Sequence, residues 1–321
     1  SGTEATMNAI RAARAFTGKE LVAKIEGGYH GAHDFATVSV GTPLDKAGDQ
    51  TRPNSVLISE GVPRSVADSV LVLPANDLET ADLLLRERSD NLAAMIVEPV
   101  WGQGGMIPTE DGYLKGLRSL ADELGFLLIF DEVISFRLSS GGAQQHYDVK
   151  PDLTAFGKII GGGMPVGAFG GREDIMGVYS PEGGGPRVPH SGTFNGNPVA
   201  AAAGIATLEA LTPSVYGQIN ALGDRLRSRF QEIISEREAP MGVTGIGSLF
   251  SLQFTTEQVR DYRSSASNDN VLRQAVFLGL MNEGFLLGSR GAGNISTAHT
   301  NEEIDSLVDA FGKVLGRVGF G

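Results

Sequence analysis

The chain has 321 residues, 41% of them hydrophobic, and a formal net charge of −12 at pH 7. So acidic a balance argues against binding the phosphate backbone of nucleic acids, which requires clustered Lys and Arg. Cysteine is absent, which excludes disulfides, thiolate metal ligands and a cysteine nucleophile and fits a reducing cytoplasm. No apolar run approaches the length that spans a bilayer, so we expect no membrane partner. The five histidines are scattered, and we expect no metal site.

Predicted helices and strands alternate along the first two thirds of the chain. Apolar residues at helical spacing predict a helix over residues 3–16, and the segment 21–26 is typical of a short strand. Further strands are predicted over 70–77, 93–100 and 126–133, and helices over 78–88 and 111–124. Apolar runs of this length indicate strands buried on both faces, and the helices between them predict a parallel sheet. The predicted fold class is therefore α/β.

The pattern changes beyond residue 200. Two consecutive helices are interrupted near Thr212-Pro213, the segment 243–255 is strand-like, and helices are predicted over 270–283 and 301–315. We therefore expect a large domain over residues 1–212 and a small α+β domain over residues 213–321.

Charged residues follow three of the apolar runs. Glu98 closes one run, Asp131 and Glu132 close the next, and Lys158 follows the short run LTAFG. Acids at the carboxyl ends of parallel strands lie where open α/β sheets bind their ligands. One such acid could simply mark the point where a strand reaches the surface, but two runs that end in acids, together with a lysine, favour a site.

Lys158 stands among apolar residues and glycines in FGKIIGGGMPVGAFGG, residues 156–171. It does not belong to a phosphate-binding P-loop, because Asp152 holds the position of the first glycine and Ile159 that of the magnesium-binding Ser or Thr. We expect weakly solvating surroundings, which lower the pKa of a lysine and free its amine for a Schiff base. The commonest aldehyde partner of such a lysine is pyridoxal 5'-phosphate.

That cofactor requires an acid for its ring nitrogen, N–H donors for its phosphate and a flat surface for its ring. Asp131 can supply the acid, and Tyr29 can supply the stacking ring. Gly2 and Thr3 open a helix whose N-terminus can hold a phosphate dianion.

Six motifs in order resemble those of the class III aminotransferases, the fold-type-I group of pyridoxal phosphate enzymes. They are SGTEA (1–5), GGYHG (27–31), VEP (97–99), FDEV (130–133), GKIIGGGMPVGAFGG (157–171) and SGTFNGNP (191–198). The chain is similar above all to glutamate-1-semialdehyde aminomutases and to β-amino-acid (β-phenylalanine) aminotransferases. The resemblance implies a large domain with a mostly parallel sheet of the seven-stranded type, a small C-terminal α+β domain and a homodimer with a shared active site. It also implies a further segment before residue 1, so we expect the chain to be part of a longer one.

The resemblance implies two catalytic residues. Lys158 forms the internal aldimine with the cofactor and then moves a proton between substrate and cofactor, while Asp131 keeps the ring nitrogen protonated. Glu98 supports the ring hydroxyl, and His30 counts among the cofactor-binding residues.

The resemblance also implies the residues that hold the cofactor and substrate. The ring lies between Tyr29 and Val133, and Thr193 reaches the phosphate of the neighbouring subunit, while Gly2 and Thr3 bind the phosphate of their own. Arg290 holds the place of a carboxylate-binding arginine. Each residue has a simpler alternative: Tyr29 as a loop aromatic, Val133 as core, Thr193 bonded to its own turn and Arg290 as a solvated loop residue.

The expected reaction is transfer of an amino group from an amino acid, β-amino acids included, or an amine to an oxo acid. The segment ISTAHTNEEID resembles the aminomutases, whereas FDEVISFRLSSGG and HSGTFNGNP are closer to the β-amino-acid aminotransferases. Glutamate-1-semialdehyde 2,1-aminomutase activity is thus the alternative. A second alternative is a truncated, cofactor-free homologue that serves as a structural dimer subunit.

Overall fold

A computed structural model describes residues 1–320, which form two compact units. The first unit comprises Ser1–Pro99 and Thr109–Leu211, and the second comprises Val100–Pro108 and the chain from Thr212 onward. The predicted domain division between residues 212 and 213 stays a prediction. The structure differs from it in placing Val100–Pro108 with the second unit.

A six-stranded sheet lies at the centre of the first unit. Its strands are β1 (Leu21–Ile25), β2 (Val70–Leu73), β3 (Leu92–Val97), β4 (Leu127–Asp131), β5 (Leu153–Gly157) and β6 (Gly167–Gly171). They lie in the order β6-β5-β4-β3-β1-β2, and every neighbouring pair is parallel except β5 and β6. The predicted α/β class and mostly parallel sheet are confirmed, with six strands instead of seven within residues 1–320. The antiparallel strand β6 was not predicted, because its sequence GAFGG has low strand propensity.

The helices of the first unit pack on both faces of this sheet. The longer ones are α1 (Gly2–Thr17), α2 (Leu78–Glu87), α3 (Tyr113–Leu124) and α4 (Pro198–Ala210), and short helices span Asp34–Thr37, Arg64–Asp68, Gly142–Tyr147 and Glu173–Met176. One apolar core includes residues of α2 and α3, and another includes residues of α1. Along β1, Leu21 and Ala23 belong to the first core and Val22 to the second, as the alternation of a strand requires.

The local sequence of α1 explains both of its ends. Ser1 caps the helix by accepting a hydrogen bond from the Glu4 N–H, and the Glu4 side chain returns to the Ser1 amine, which is a capping box. The helix ends at Gly18, which adopts the left-handed conformation with φ 69°. These caps determine where α1 begins and ends along the chain.

The second unit has a three-stranded antiparallel sheet and three long helices. The strands are β7 (Gly242–Thr244), β8 (Leu249–Gln253) and β9 (Ala292–Asn294), in that order, and the helices are α5 (Pro213–Glu236), α6 (Asn270–Asn282) and α7 (Asn301–Arg317), with a short helix at Tyr262–Ser265. The segment 243–255, predicted as one strand-like run, forms two strands, because the chain turns through Gly245 and Gly247 at φ 139° and 53°.

Two-residue strand pairs complete the secondary structure: Gly48–Asp49 with Arg52–Pro53 in the first unit, and Val100–Trp101 with Ile107–Pro108 in the second. Within residues 1–320, no single helix has the length and apolar character needed to cross a membrane. One bent helix pair, α4 with α5, is together long and apolar enough to do so, judged by length and composition alone.

Candidate active site

A cavity of about 200 Å³ opens at the carboxyl edge of the first unit's sheet. It is lined by Gly2, Thr3, Tyr29, His30, Gly31, Glu98, Asp131, Val133, Ile134 and Lys158. These residues come from the start of α1 and from the chain at or just after the ends of β1, β3, β4 and β5. They meet there because parallel strands bring their carboxyl ends to one edge. All the predicted site residues except Thr193 and Arg290 line this cavity.

Tyr29 and His30 belong to a loop over residues 27–39, which we call the 27–39 loop. Its base is closed by a hydrogen bond of 2.9 Å from the Gly27 N–H to the Ser39 carbonyl. Hydrogen bonds also hold its outgoing limb. The Tyr29 N–H donates to Glu98 Oε1 at 3.0 Å, the Thr6 hydroxyl donates to the His30 carbonyl at 2.5 Å, and the Ala32 N–H donates to Thr3 Oγ1 at 3.3 Å. The Tyr29 side chain remains 47% exposed, so its ring can serve as a wall for a ligand.

Asp131 is buried and has hydrogen bonds on both carboxylate oxygens. His30 Nδ1 lies 2.9 Å from Asp131 Oδ2, and the Val133 N–H donates to Oδ1 at 3.1 Å. Burial lowers the pKa of His30 below its ordinary value, so the imidazole is neutral near pH 7. Because a carboxylate only accepts, the proton of His30 lies on Nδ1. His30 therefore fixes the orientation of the Asp131 carboxylate.

Lys158 directly follows β5 and begins a 3₁₀ turn, Lys158–Gly161. Its backbone has φ 48°, a left-handed conformation that costs a non-glycine residue about 1–2 kcal/mol. Such strain is concentrated at functional sites. The structure corrects one expectation: the side chain is exposed within this chain, not placed in weakly solvating surroundings. It makes no hydrogen bond or ion pair with the described residues, so its amine is available to a ligand.

The N-terminus of α1 offers free donors to the same cavity. The capping box occupies the Glu4 N–H, and the Ala5 N–H bonds the Ser1 carbonyl. The N–H groups of Gly2 and Thr3 are thereby left without a partner within residues 1–320. Oriented N–H groups at the start of a 16-residue helix form a suitable anion site.

Glu132, the third acid predicted at a strand end, does not line the cavity. Its buried carboxylate accepts hydrogen bonds from the Ala143 N–H at 2.5 Å and the Gln144 N–H at 3.1 Å. Burial raises the pKa of Glu132. The Glu132 carboxylate lies against the N-terminus of the short helix Gly142–Tyr147, which indicates a structural role.

The two remaining predicted residues lie elsewhere. Thr193 is in an exposed segment of the first unit, between Pro189 and Asn197. Arg290 is exposed in the second unit, where its guanidinium reaches the Gln103 carbonyl at 3.5 Å. Their predicted roles stay predictions. Within residues 1–320, no group of three or more acidic or histidine side chains is placed to hold a metal ion.

The sequence reasoning missed three residues at or beneath the cavity. Gly31 and Ile134 line it, next to residues that were predicted. Lys24 lies fully buried on β1, in the strand that leads to the 27–39 loop. A charged residue inside the apolar run LVAKI was the signal that could have revealed it.

Gly31 is expected to be required for the close approach of the 27–39 loop to α1. It has φ 103°, and a Cβ at this position would lie 2.6 Å from Thr3 Oγ1 and 2.7 Å from Thr3 Cα. We expect Gly31→Ala to lower the free energy of unfolding by about 2–4 kcal/mol, since backbone strain and a steric clash add. Gly41→Ala is the matched control, because Gly41 has φ 105° and a Cβ at this position would meet nothing within 4 Å.

Chemical denaturation of both variants separates the two causes. Gly41→Ala should lose only the backbone contribution, about 1–2 kcal/mol. Equal losses in the two variants would show that Thr3 moves aside without cost, which would contradict the tight contact.

Comparisons with known proteins agree with this geometry. The family model described as class-III aminotransferase matches residues 1–315. The glutamate-1-semialdehyde 2,1-aminomutase of Methanothermobacter thermautotrophicus is 42% identical over 318 residues, which cover 98% of this chain and 73% of the relative.

Two solved structures are similar over almost the whole chain. An omega-transaminase from Sphaerobacter thermophilus has a TM-score of 0.94 at 42% identity, covering 98% of this chain and 72% of that one. A β-phenylalanine aminotransferase from Variovorax paradoxus has a TM-score of 0.87 at 38% identity, covering 99% and 69%. The predicted family and the prediction of an amino-group-transferring enzyme are confirmed. The chain belongs to the class-III aminotransferases.

Proposed function

We propose that this protein moves an amino group from an amino acid or amine to an oxo acid, with pyridoxal 5'-phosphate held in the cavity and attached to Lys158. One observation carries the proposal. The available amine of Lys158 and the buried carboxylate of Asp131 line the same cavity, which the start of α1 and the Tyr29 ring also line. This combination of amine, acid, anion site and flat wall is what the cofactor requires.

The size and donors of the cavity fit that cofactor. A volume of about 200 Å³ lies below the range of roughly 300–1,000 Å³ for drug-sized ligands, so it suits a compact molecule. The N–H groups of Gly2 and Thr3 would bind the phosphate. Tyr29 would pack on one face of the ring and Val133 on the other.

When bound, pyridoxal phosphate supplies an aldehyde that exchanges amines and a ring that accepts electrons. Asp131 would hold a proton at the ring nitrogen, with its carboxylate oriented by His30. Lys158 Nζ would carry the cofactor and then take and return a proton at the substrate carbon. Glu98, which already fixes the Tyr29 N–H, would support the ring hydroxyl.

We propose further that the protein is a homodimer with a shared active site, in which Thr193 reaches the partner's phosphate. An exposed apolar face around α4 supports this assembly, since Phe194, Val199 and Ile205 are 80%, 61% and 58% exposed. Arg290 would bind the carboxylate of the substrate. A cytoplasmic location is proposed from the lack of cysteine. The proposed partners are small-molecule substrates, with neither nucleic acid nor a membrane among them.

Glutamate-1-semialdehyde aminomutase activity is the second candidate, supported by the 42% identity to the Methanothermobacter thermautotrophicus enzyme. The same lysine and acid would then move an amino group within one molecule. The cofactor-free structural subunit is the weaker alternative, because it leaves the free amine of Lys158 and the strained backbone beneath it without a purpose.

The experiment offers the purified protein, supplied with pyridoxal phosphate, a panel of α-amino acids, β-amino acids and amines with pyruvate or 2-oxoglutarate. A parallel reaction contains glutamate-1-semialdehyde alone. We expect the new amino acid to form from at least one donor. Isomerisation of the semialdehyde without transfer from any donor would replace the proposal by the aminomutase, and failure of both reactions would favour the structural subunit.

A further inference from the structure

Lys24 is a buried cation that the proposed chemistry does not use. It lies on β1, paired with Val72 on one neighbouring strand and Ile96 on the other, and its side chain is 1% exposed. Lysine is almost never fully buried unless its amine is well bonded, because removing the charge from water is costly. A specific task for this amine is therefore expected.

The amine of Lys24 holds the returning limb of the 27–39 loop. Its Nζ donates to the Ala36 carbonyl at 3.1 Å and to the Val38 carbonyl at 2.6 Å. These carbonyls lie at the end of the short helix Asp34–Thr37, with Val38 as its C-cap. The last carbonyls of a helix lack partners within the helix, so Lys24 satisfies groups that would otherwise be buried and unbonded.

The two limbs of the 27–39 loop are thus held from different sides. The outgoing limb is bonded to Glu98, Thr6 and Thr3. The returning limb is bonded to Lys24 and, at its last residue, to Val56. Loss of the Lys24 bonds would loosen the returning limb between residues 34 and 38, although Ser39 stays bonded to Val56 and Asn54. Tyr29 and His30 on the outgoing limb would then be less firmly held at the cavity.

We propose that Lys24 is a positioning residue for the active site, which fixes Tyr29 and His30 by bonding the returning limb of the 27–39 loop from within the sheet. The consequence for cofactor binding rests on the proposed function. The consequence for the order of the loop does not.

The hydrogen bonds of Lys24, more than its charge, should carry this role. Burial lowers the pKa of Lys24 to about 7, opposed by the nearby Glu98 carboxylate. A neutral amine still has two N–H donors, one for each carbonyl. Burial lowers the pKa values of His30 and His33, and the charge of the nearby Lys24 lowers them further, so both rings are neutral near pH 7.

The test compares three substitutions. Lys24→Met keeps an unbranched side chain, one atom shorter, and removes its donors, whereas Lys24→Gln has the same reach as Met and keeps two N–H donors without a charge. Lys19→Met is the matched control: Lys19 Nζ also donates to one carbonyl, that of Ser89 at 2.8 Å, but it lies before β1, at the opposite edge of the sheet.

Hydrogen exchange with mass spectrometry is measured on the cofactor-free proteins, and the dissociation constant of pyridoxal phosphate is measured at pH 6 and pH 8. For Lys24→Met we expect exchange within residues 27–39 to be about tenfold faster, with β3 and β4 unchanged, and cofactor binding to be about tenfold weaker. Lys24→Gln should recover part of both effects at either pH. Lys19→Met should behave as the wild type.

Several results would overturn the proposal. Wild-type exchange over residues 27–39 in both Lys24 variants would show that the loop does not depend on this amine. Exchange that rises equally in β3 and β4 would show a general structural role, and if Lys24→Met does not fold, Lys24→Gln decides between these results. Should the wild type bind no pyridoxal phosphate, the proposed function fails while the exchange comparison still decides the role of Lys24.

Discussion

Lys158→Ala is expected to lose covalent attachment of pyridoxal phosphate and to lower amino-transfer turnover roughly a thousandfold or more, as removal of a covalent catalytic residue does. The amine of Lys158 is the only group of its kind lining the cavity among residues 1–320. Lysine already adopts φ 48° at this position, so alanine adds no new backbone strain and the variant should remain folded. The loss should therefore be chemical.

The attachment is measured by borohydride reduction followed by peptide mapping, and turnover is measured with the best donor from the panel. Lys150→Ala is the matched control, since Lys150 is an exposed lysine of the same unit outside the cavity. An adduct on a lysine other than Lys158, or turnover within tenfold of the wild type in Lys158→Ala, would contradict the assigned role.

The gathering of Glu98, Asp131 and Lys158 at the sheet edge could be predicted because it follows from local sequence. Glu98, Asp131 and Lys158 each end or follow an apolar run, and a parallel sheet must bring such ends together. The burial of each side chain and its hydrogen-bond partners could not be predicted in this way. Lys158 proved exposed, whereas Glu132, next to Asp131, turned away to cap a short helix.

Features that depend on distant partners escaped prediction. Lys24 bonds carbonyls 12 and 14 residues along the chain, and only the folded 27–39 loop brings them over the sheet. The strand β6 forms because its backbone pairs with β5, although its glycines disfavour strands. Both features depend on contacts that exist only in the folded chain, and in β6 the pairing overrides local propensity.

Asp131, the acid that lines the cavity, also depends on a partner that is distant in sequence, His30. Asp131→Asn is expected to preserve the fold and to lower the turnover about 10²–10³-fold, because it removes the negative charge that would hold a proton at the cofactor's ring nitrogen. The asparagine oxygen can still accept from the Val133 N–H. Its amide would face His30 Nδ1, and a neutral imidazole can move its proton to Nε2 to accept from that amide.

This exchange of tautomer makes the variant informative. Since burial lowers the pKa of His30, the ring remains neutral with either partner, and no unpaired charge is buried in Asp131→Asn. The proton on Nε2 would be buried without an acceptor, so we expect the free energy of unfolding to fall by about 1–3 kcal/mol. We expect the variant to remain folded and cofactor attachment to Lys158 to stay intact. Asp148→Asn is the matched control, because Asp148 is exposed and its φ of 52° suits asparagine.

The kinetic pattern distinguishes a proton-holding acid from a merely packed one. If Asp131 acts at the ring nitrogen, kcat falls while the dissociation constant of the cofactor changes by less than about tenfold, since the substitution leaves the proposed phosphate site at Gly2 and Thr3 unchanged. If the carboxylate only supports His30 and the 27–39 loop, cofactor affinity falls and kcat at saturating cofactor recovers. Recovery of that kind would remove Asp131 from the chemistry and leave it, with His30, as part of the framework of the cavity.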